Sequence, residues 1–272
     1  EPMGYKISNS NALWTISFGY LMNLTIPRSG ELARSTALFG VEKVPVDKSF
    51  GTIILERVVD LVCMGFFLLL TFVFKYDAIV SFFQYVTAQN ANEPKADSGN
   101  KLYLLMGAFV GLGVLFFAFR KYLTKYSIYQ KAINFTKGIF HGLTSIFKLK
   151  QKLKFIVLSL AIWICYYFAA YLVCFALPET SEFSFADGFF IIVVGTLGMM
   201  VPASGGIGAF HFALKLGIMA LFLSMGKNPE EGGEVGLSYA FISHTMQLVI
   251  MIVMGVISIP VLAKERGRLL SK

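Results

Sequence analysis

Apolar residues run along this chain in long blocks rather than in strand-like alternation. A helix crossing the hydrocarbon core needs about 20 mainly apolar residues, and four blocks approach that length. Residues 50–74 are apolar from Val58 onward, although Glu56, Arg57 and Asp60 stand near their start. Residues 102–119 and 155–177 carry no charge, and 235–263 is interrupted only by His244 and Gln247. Two further blocks are broken. Residues 11–26 run into Pro27-Arg28-Ser29-Gly30-Glu31 and resume at 32–41, while 188–201 run into Pro202-Ala203-Ser204-Gly205-Gly206 and resume at 207–225. Proline and glycine stop a helix there, at a depth where lipid cannot hydrogen-bond the freed backbone groups.

Composition turns this pattern into a class. Of the 272 residues, 56% are apolar and 15% are charged, against about a quarter charged in a soluble domain. That leaves too little polar material to coat a water-soluble globule, which excludes a secreted disulfide scaffold, a disordered tail and an ordinary cytosolic enzyme. The expected fold is an all-α integral membrane protein: a polytopic helical bundle with two broken or re-entrant helix hairpins related as an inverted repeat. Cys63, Cys165 and Cys174 lie inside apolar stretches without metal-ligand spacing, so they read as small hydrophobes. No metal or cofactor is expected.

The net charge of +8 bears on topology rather than on nucleic acid, for which no role is expected. Residues 120–154 hold nine Lys/Arg and no Asp or Glu, which places them in the cytoplasm by the positive-inside rule. Parity then puts 75–101 outside, followed by a short acidic loop with Glu179, Glu182 and Asp187. The acidic segment 226–236 is outside too, and the basic tail with Lys264, Arg266, Arg268 and Lys272 is cytoplasmic. Within 120–154, aromatic and aliphatic residues recur at helical spacing with lysines between. That fits either an amphipathic helix on anionic headgroups or a solvated linker whose charges set topology. His141 is assigned no role.

Both breaks read apolar helix, P-x-S-G, then another helix, and each is followed by a long span. The second copy is preceded by 155–177. The first has no such partner, and the reading supplies it with helices upstream of Glu1. The expected units are a first membrane repeat over 1–119, a connector over 120–154 and a second repeat over 155–272. If the two copies are inverted, their breaks meet near the midplane from opposite sides, as in transporters built on inverted repeats. The alternative for each break is a glycine hinge that lets helices pack closely.

The candidate chemistry clusters at these breaks. A half-helix starting after Gly30 or Gly206 offers unpaired N–H groups and the positive end of its dipole, an arrangement that favours phosphate. Arg28 and Arg34 add guanidinium forks. Glu31 and Arg34 share one helical face, and Glu56, Arg57 and Asp60 open the next span. Ionisable groups at membrane depth are costly, hence usually paired and functional; anchoring at the headgroup level is the other reading of these three. His211 and Lys215 lie four residues apart, and His244 and Gln247 three apart. Either histidine is a candidate proton carrier, or the polar groups simply bond between helices. There is no G-x-S-x-G, P-loop or H-E-x-x-H, so no enzyme is expected.

Asn23-x3-Pro27-Arg28-x-Gly30-Glu31-x2-Arg34, followed by Glu56-Arg57-x2-Asp60, resembles the lysylphosphatidylglycerol synthase transmembrane family, also called the flippase-like domain family. Its members carry P-x-x-G-E-x-x-R, then E-R-x-x-D, and late in the chain P-x-P-G-G-x-G. Pro202-Ala203-Ser204-Gly205-Gly206-Ile207-Gly208 matches the last, with Ser204 in place of a proline. His211 stands where an acidic residue is common and His244 where an arginine is. The resemblance implies a polytopic bacterial or archaeal inner-membrane protein that moves or handles lipids. In two-part synthases this region is credited with flipping aminoacylated phosphatidylglycerol while a soluble domain makes it.

The expected function is therefore a lipid flippase or lipid-handling transporter of the bacterial inner membrane. Its partners are membrane phospholipids, anionic or aminoacylated, together with a membrane-protein partner. A charged headgroup sits in a central polar cavity formed by Asn23, Pro27, Arg28, Ser29, Gly30, Glu31, Arg34, Glu56, Arg57, Asp60, Pro202, Ser204, Gly205, Gly206, Gly208, His211 and Lys215. The alternatives are a scaffold subunit of a larger membrane complex and a membrane component of a lipid-linked transferase.

Overall fold

A computed structural model describes residues 5–89 and 151–271. The span expected at 102–119 and the connector up to residue 150 lie outside the described residues. Eight α-helices, and no strand, occur among those described: α1 (Asn9–Thr25), α2 (Gly30–Glu42), α3 (Val46–Phe74), α4 (Tyr76–Gln89), α5 (Lys152–Val173), α6 (Phe185–Met200), α7 (Ala209–Ser224) and α8 (Pro229–Leu270). The uncharged runs give α5 and α8, each long and apolar enough to cross a membrane. Their large aliphatic side chains stay exposed, among them Leu158, Ile162, Ile250 and Val253, which is the surface lipid would cover.

The broken runs become two antiparallel hairpins. In the first, α1 and α2 fold back on each other around residues 26–29. Gly19 faces Gly30 and Arg34, and further from the turn the Asn11 amide donates to Glu42 at 2.8 Å. In the second, α6 and α7 fold back around Ser204–Gly206, a turn of 3₁₀ helix, with Gly198 against Ala213 and Gly217 against Val194. Small residues at these positions let the backbones approach closely. Helix α6 begins with a capping box, the Asp187 carboxylate accepting from the Ser184 N–H and hydroxyl at 2.7 Å each.

Helix α8 is the rod that orders both hairpins. At 42 residues it is about 63 Å long. Asn228 caps its start by accepting from the Glu230 N–H at 3.0 Å. Gly232, Gly233 and Gly236 then let it pack against Phe222, Met219 and Lys215 of α7. Further along, Leu248 reaches the turn of the second hairpin and Gly255 meets Leu21 of α1. The two hairpins thus lie end to end along α8, tips facing.

Helix α4 fills a stretch that the sequence presents only as an external loop. It bends 78° away from α3 and buries Ala78 in one apolar cluster with Leu214, Ile218 and Leu221 of α7. A second cluster joins α3, α5 and α6 through Phe67, Trp163, Tyr167 and Ile192. Phe67 stacks on Trp163 at 5.5 Å.

Candidate functional site

At the first break, Asn23 of α1 turns its side chain onto the start of α2 and accepts from the Gly30 N–H at 2.7 Å. One of the helix-end donors expected to face a ligand is therefore already capped from within. The Ser29 hydroxyl is likewise taken, donating to the Met22 and Ile26 carbonyls. A methyl group at Gly30 would overlap the Gly19 carbonyl and the Asn23 amide, so only glycine lets the two helices close this tightly. Arg28 sits at φ +62°, and its exposed side chain reaches across to the second hairpin, Nη2 donating to the Met200 carbonyl at 3.0 Å. Pro27 is exposed beside it.

At the second break, Gly205, Gly206 and Gly208 all take positive φ, which side-chain-bearing residues rarely adopt. Their freedom makes the reversal between α6 and α7 sharp. Pro202 and Ser204 are exposed at its rim. Gly205 lies beneath Leu24 of the first hairpin and Leu248 of α8, and its carbonyl accepts from His244 Nε2 at 2.8 Å. The His211 and His244 rings lie 5.0 Å apart between centroids. Lys215, one turn beyond His211, packs its stem on Gly233 of α8 and so points away from the break.

The charged residues form a separate cluster between α2 and α3. Arg34 makes a two-pronged bond to Glu56, at 2.8 and 3.2 Å. Arg57 bridges two carboxylates, Glu31 at 3.2 Å and Asp60 at 3.1 Å. Asp60 also accepts from the Trp163 indole at 3.1 Å. Glu31 and Arg34 share a helix face, as their spacing predicts, but each finds its partner on α3 rather than in the other. The guanidinium fork of Arg34 is thus filled by a carboxylate, while among the described residues Arg28 meets only a neutral carbonyl. Among the described residues three carboxylates face two guanidinium groups in this network, leaving one negative charge in excess.

Two clefts lie away from these residues. One of about 360 Å³ is lined by Glu182, Phe222 and Lys227. There the Lys227 ammonium, 2.8 Å from Glu182, holds that carboxyl below its ordinary value, chiefly by hydrogen bonding. The other, about 350 Å³, lies between Phe18, Gly40, Leu262 and Arg266.

Sequence reasoning missed the ion pair that holds the most deeply buried carboxylate. Lys75, at the bend between α3 and α4, sets its ammonium 2.5 Å from Asp187 Oδ1. Asp187 is fully buried and Lys75 is 18% exposed. The signal was present in Ser184-x2-Asp187, a capping-box spacing that fixes this carboxylate at a helix start.

A family model described as the lysylphosphatidylglycerol synthase TM region matches residues 1–264. No curated protein and no solved structure matches the chain.

Proposed function

Because the chain belongs to the lysylphosphatidylglycerol synthase transmembrane-region family, we propose that this polytopic membrane protein moves a charged phospholipid across the bacterial inner membrane. The headgroup passes between the two hairpin tips. The observation that carries this reading is where the tips meet. Through Gly205 the second tip touches α8 at His244 and Leu248 and meets Leu24 of the first hairpin, within about 8 Å of the middle of the uncharged stretch of α8. Polar groups from both hairpins and the paired charges of α2 and α3 thus stand near mid-membrane, where such groups are costly and usually serve function.

The chemistry suits a phosphate joined to an amine. Arg28 is the first guanidinium a phosphate meets, since it gives up only a neutral carbonyl and gains a charge-assisted bond. The excess carboxylate among Glu31, Glu56 and Asp60 attracts the headgroup ammonium. Taking Arg28 from Met200 also releases the bond that ties the tips together. The hairpins then part, and a passage opens on alternating sides as the repeats over 1–119 and 155–272 rock about α8. The inverted relation of these repeats, the cytoplasmic placement of 120–154 and the C-terminus, and transport without a cofactor belong to the same reading.

The test is lipid movement by protein reconstituted in liposomes, read with headgroup-labelled lipids and a membrane-impermeant quencher. Glu31→Gln and Arg34→Gln each remove one charge-assisted pair. Such a bond contributes about 1.5–3 kcal/mol, so transfer is expected to slow at least about tenfold. Absence of movement with zwitterionic, anionic and aminoacylated lipids, with and without an imposed ion gradient, would sink the reading. The scaffold alternative predicts instead a partner that co-purifies in fixed ratio and function that survives both substitutions.

A further inference from the structure

Two imidazoles meet under the tip of the second hairpin, and each keeps one buried ring nitrogen without a hydrogen-bond partner among the described residues. His244 is 1% exposed on α8, and its Nε2 is committed to the Gly205 carbonyl at 2.8 Å. A carbonyl only accepts, so this nitrogen carries the hydrogen and Nδ1 of the neutral ring is a bare acceptor. That atom and Nδ1 of His211 are both buried without a hydrogen-bond partner among the described residues. Ring centroids 5.0 Å apart are about as far as two imidazoles joined by one N–H···N bond. Phe210, 5.1 Å from His244, and Phe241, 4.5 Å from His211, close the slot with apolar faces.

A buried ring nitrogen with no partner is expensive to leave unmade, and one hydrogen between the two rings completes both, carried there by the Nδ1–H tautomer of neutral His211 or by an added proton. We propose that His211 and His244 form a one-proton site whose occupancy fixes the second hairpin's tip to α8 and, through that tip, sets the contact between the two hairpins. The proton binds the bare nitrogen of one ring, which then donates to the bare nitrogen of the other. A second proton would place two like charges in one apolar slot and is excluded. The charge left on the pair strengthens the His244 bond to Gly205, because a hydrogen bond from an ionised donor is roughly twice as strong.

The surroundings leave this pair to titrate on its own. On α7 the other ionisable group is Lys215, a turn further out; on α6 it is Asp187, at the far end; the tip 201–208 has none. On α8 Tyr239 donates to the Ala170 carbonyl and Glu230, Glu231 and Glu234 are exposed near its start, while Lys264, Glu265, Arg266 and Arg268 lie toward the other end. On the first hairpin Tyr20 is the one ionisable group of α1, and Arg28 at the turn bonds Met200. Gly205 touches Leu24 of α1, so the tip that His244 holds is the one that the first hairpin leans on. Proton coupling of this kind stands whether or not the cargo is a lipid.

Two readouts on the full chain in nanodiscs test this. The first is ¹⁵N NMR of labelled histidine across about pH 5 to 8, with assignments from His211→Gln and His244→Gln. The expected result is that both rings shift together as the pair takes up one proton. Two rings that titrate independently near 6.5, or two that do not titrate, would overturn the site. The second is the distance between spin labels at Thr25→Cys and Ile207→Cys. It is expected to change over the same pH interval and to become pH-independent when His244→Gln is added, since glutamine keeps a donor for Gly205 but carries no proton. A distance unchanged by pH in the parent, or a change that persists in the glutamine variant, would overturn the coupling.

Discussion

Asp187 has no exposed surface, yet it sits against an ammonium group. One oxygen is occupied by the start of α6 and the other by Lys75. Removing one member of a buried pair leaves the other uncompensated, which typically costs about 3–5 kcal/mol. Lys75→Met is therefore expected to lower stability by roughly 3 kcal/mol, read as a drop in Tm in detergent. Adding Asp187→Asn to it should recover part of the loss, because the stranded charge is gone. Gly30 makes a different residue-scale prediction. Its Cα faces the Gly19 carbonyl and the Asn23 amide with no room between, and overpacking of this kind costs about 1–3 kcal/mol. Gly30→Ala should thus loosen the first hairpin, seen as faster hydrogen exchange at the start of α2, while Gly40→Ala, in open space, should not.

At the scale of elements, the end-to-end order of the hairpins rests on contacts along α8. Leu21 and Gly255 face each other so closely that Gly255→Ala, whose methyl would overlap the Leu21 side chain, should loosen α1 from α8, read as faster hydrogen exchange along α1. Gly267→Ala, in open space on the same helix, should not, and equal exchange in the two variants would break the proposed register of α1 on α8. The uncharged runs made α5 and α8 legible in the sequence, and proline with glycine marked both turns. Helix α4 was not read as a helix, because its 14 residues fall short of a span and its apolar face finds a partner only where Ala78 packs against α7. The two breaks were readable from local chemistry. The partners of Arg34 and Arg57 were not, since periodicity along one helix says nothing about which charge a neighbouring helix will present. Lys215 illustrates the same limit: its spacing from His211 suggested a shared cavity, but its stem follows the glycine track of α8.

For the whole molecule, the orientation inferred from loop charges has a direct check. A cysteine at Ser271, beyond the basic end of α8, should be protected from a membrane-impermeant maleimide in intact cells, whereas one at Ser181, in the acidic segment before α6, should react. Both positions are exposed, so accessibility within the protein does not confuse the readout. The reverse labelling pattern would turn the molecule over and make the first hairpin the outward-facing one.

The Lys75–Asp187 pair also bears on how the chain enters the membrane. The two residues belong to opposite halves, so the buried carboxylate at the head of α6 has no counter-charge unless the bend after α3 is already in place. The second hairpin is therefore expected to settle poorly at its depth without the first half. A fragment beginning at Gln151 and made without the first half should be cleared by membrane proteases within a pulse-chase experiment. Co-expression of residues 1–150 as a separate chain should rescue it, and rescue should fail when that chain carries Lys75→Met.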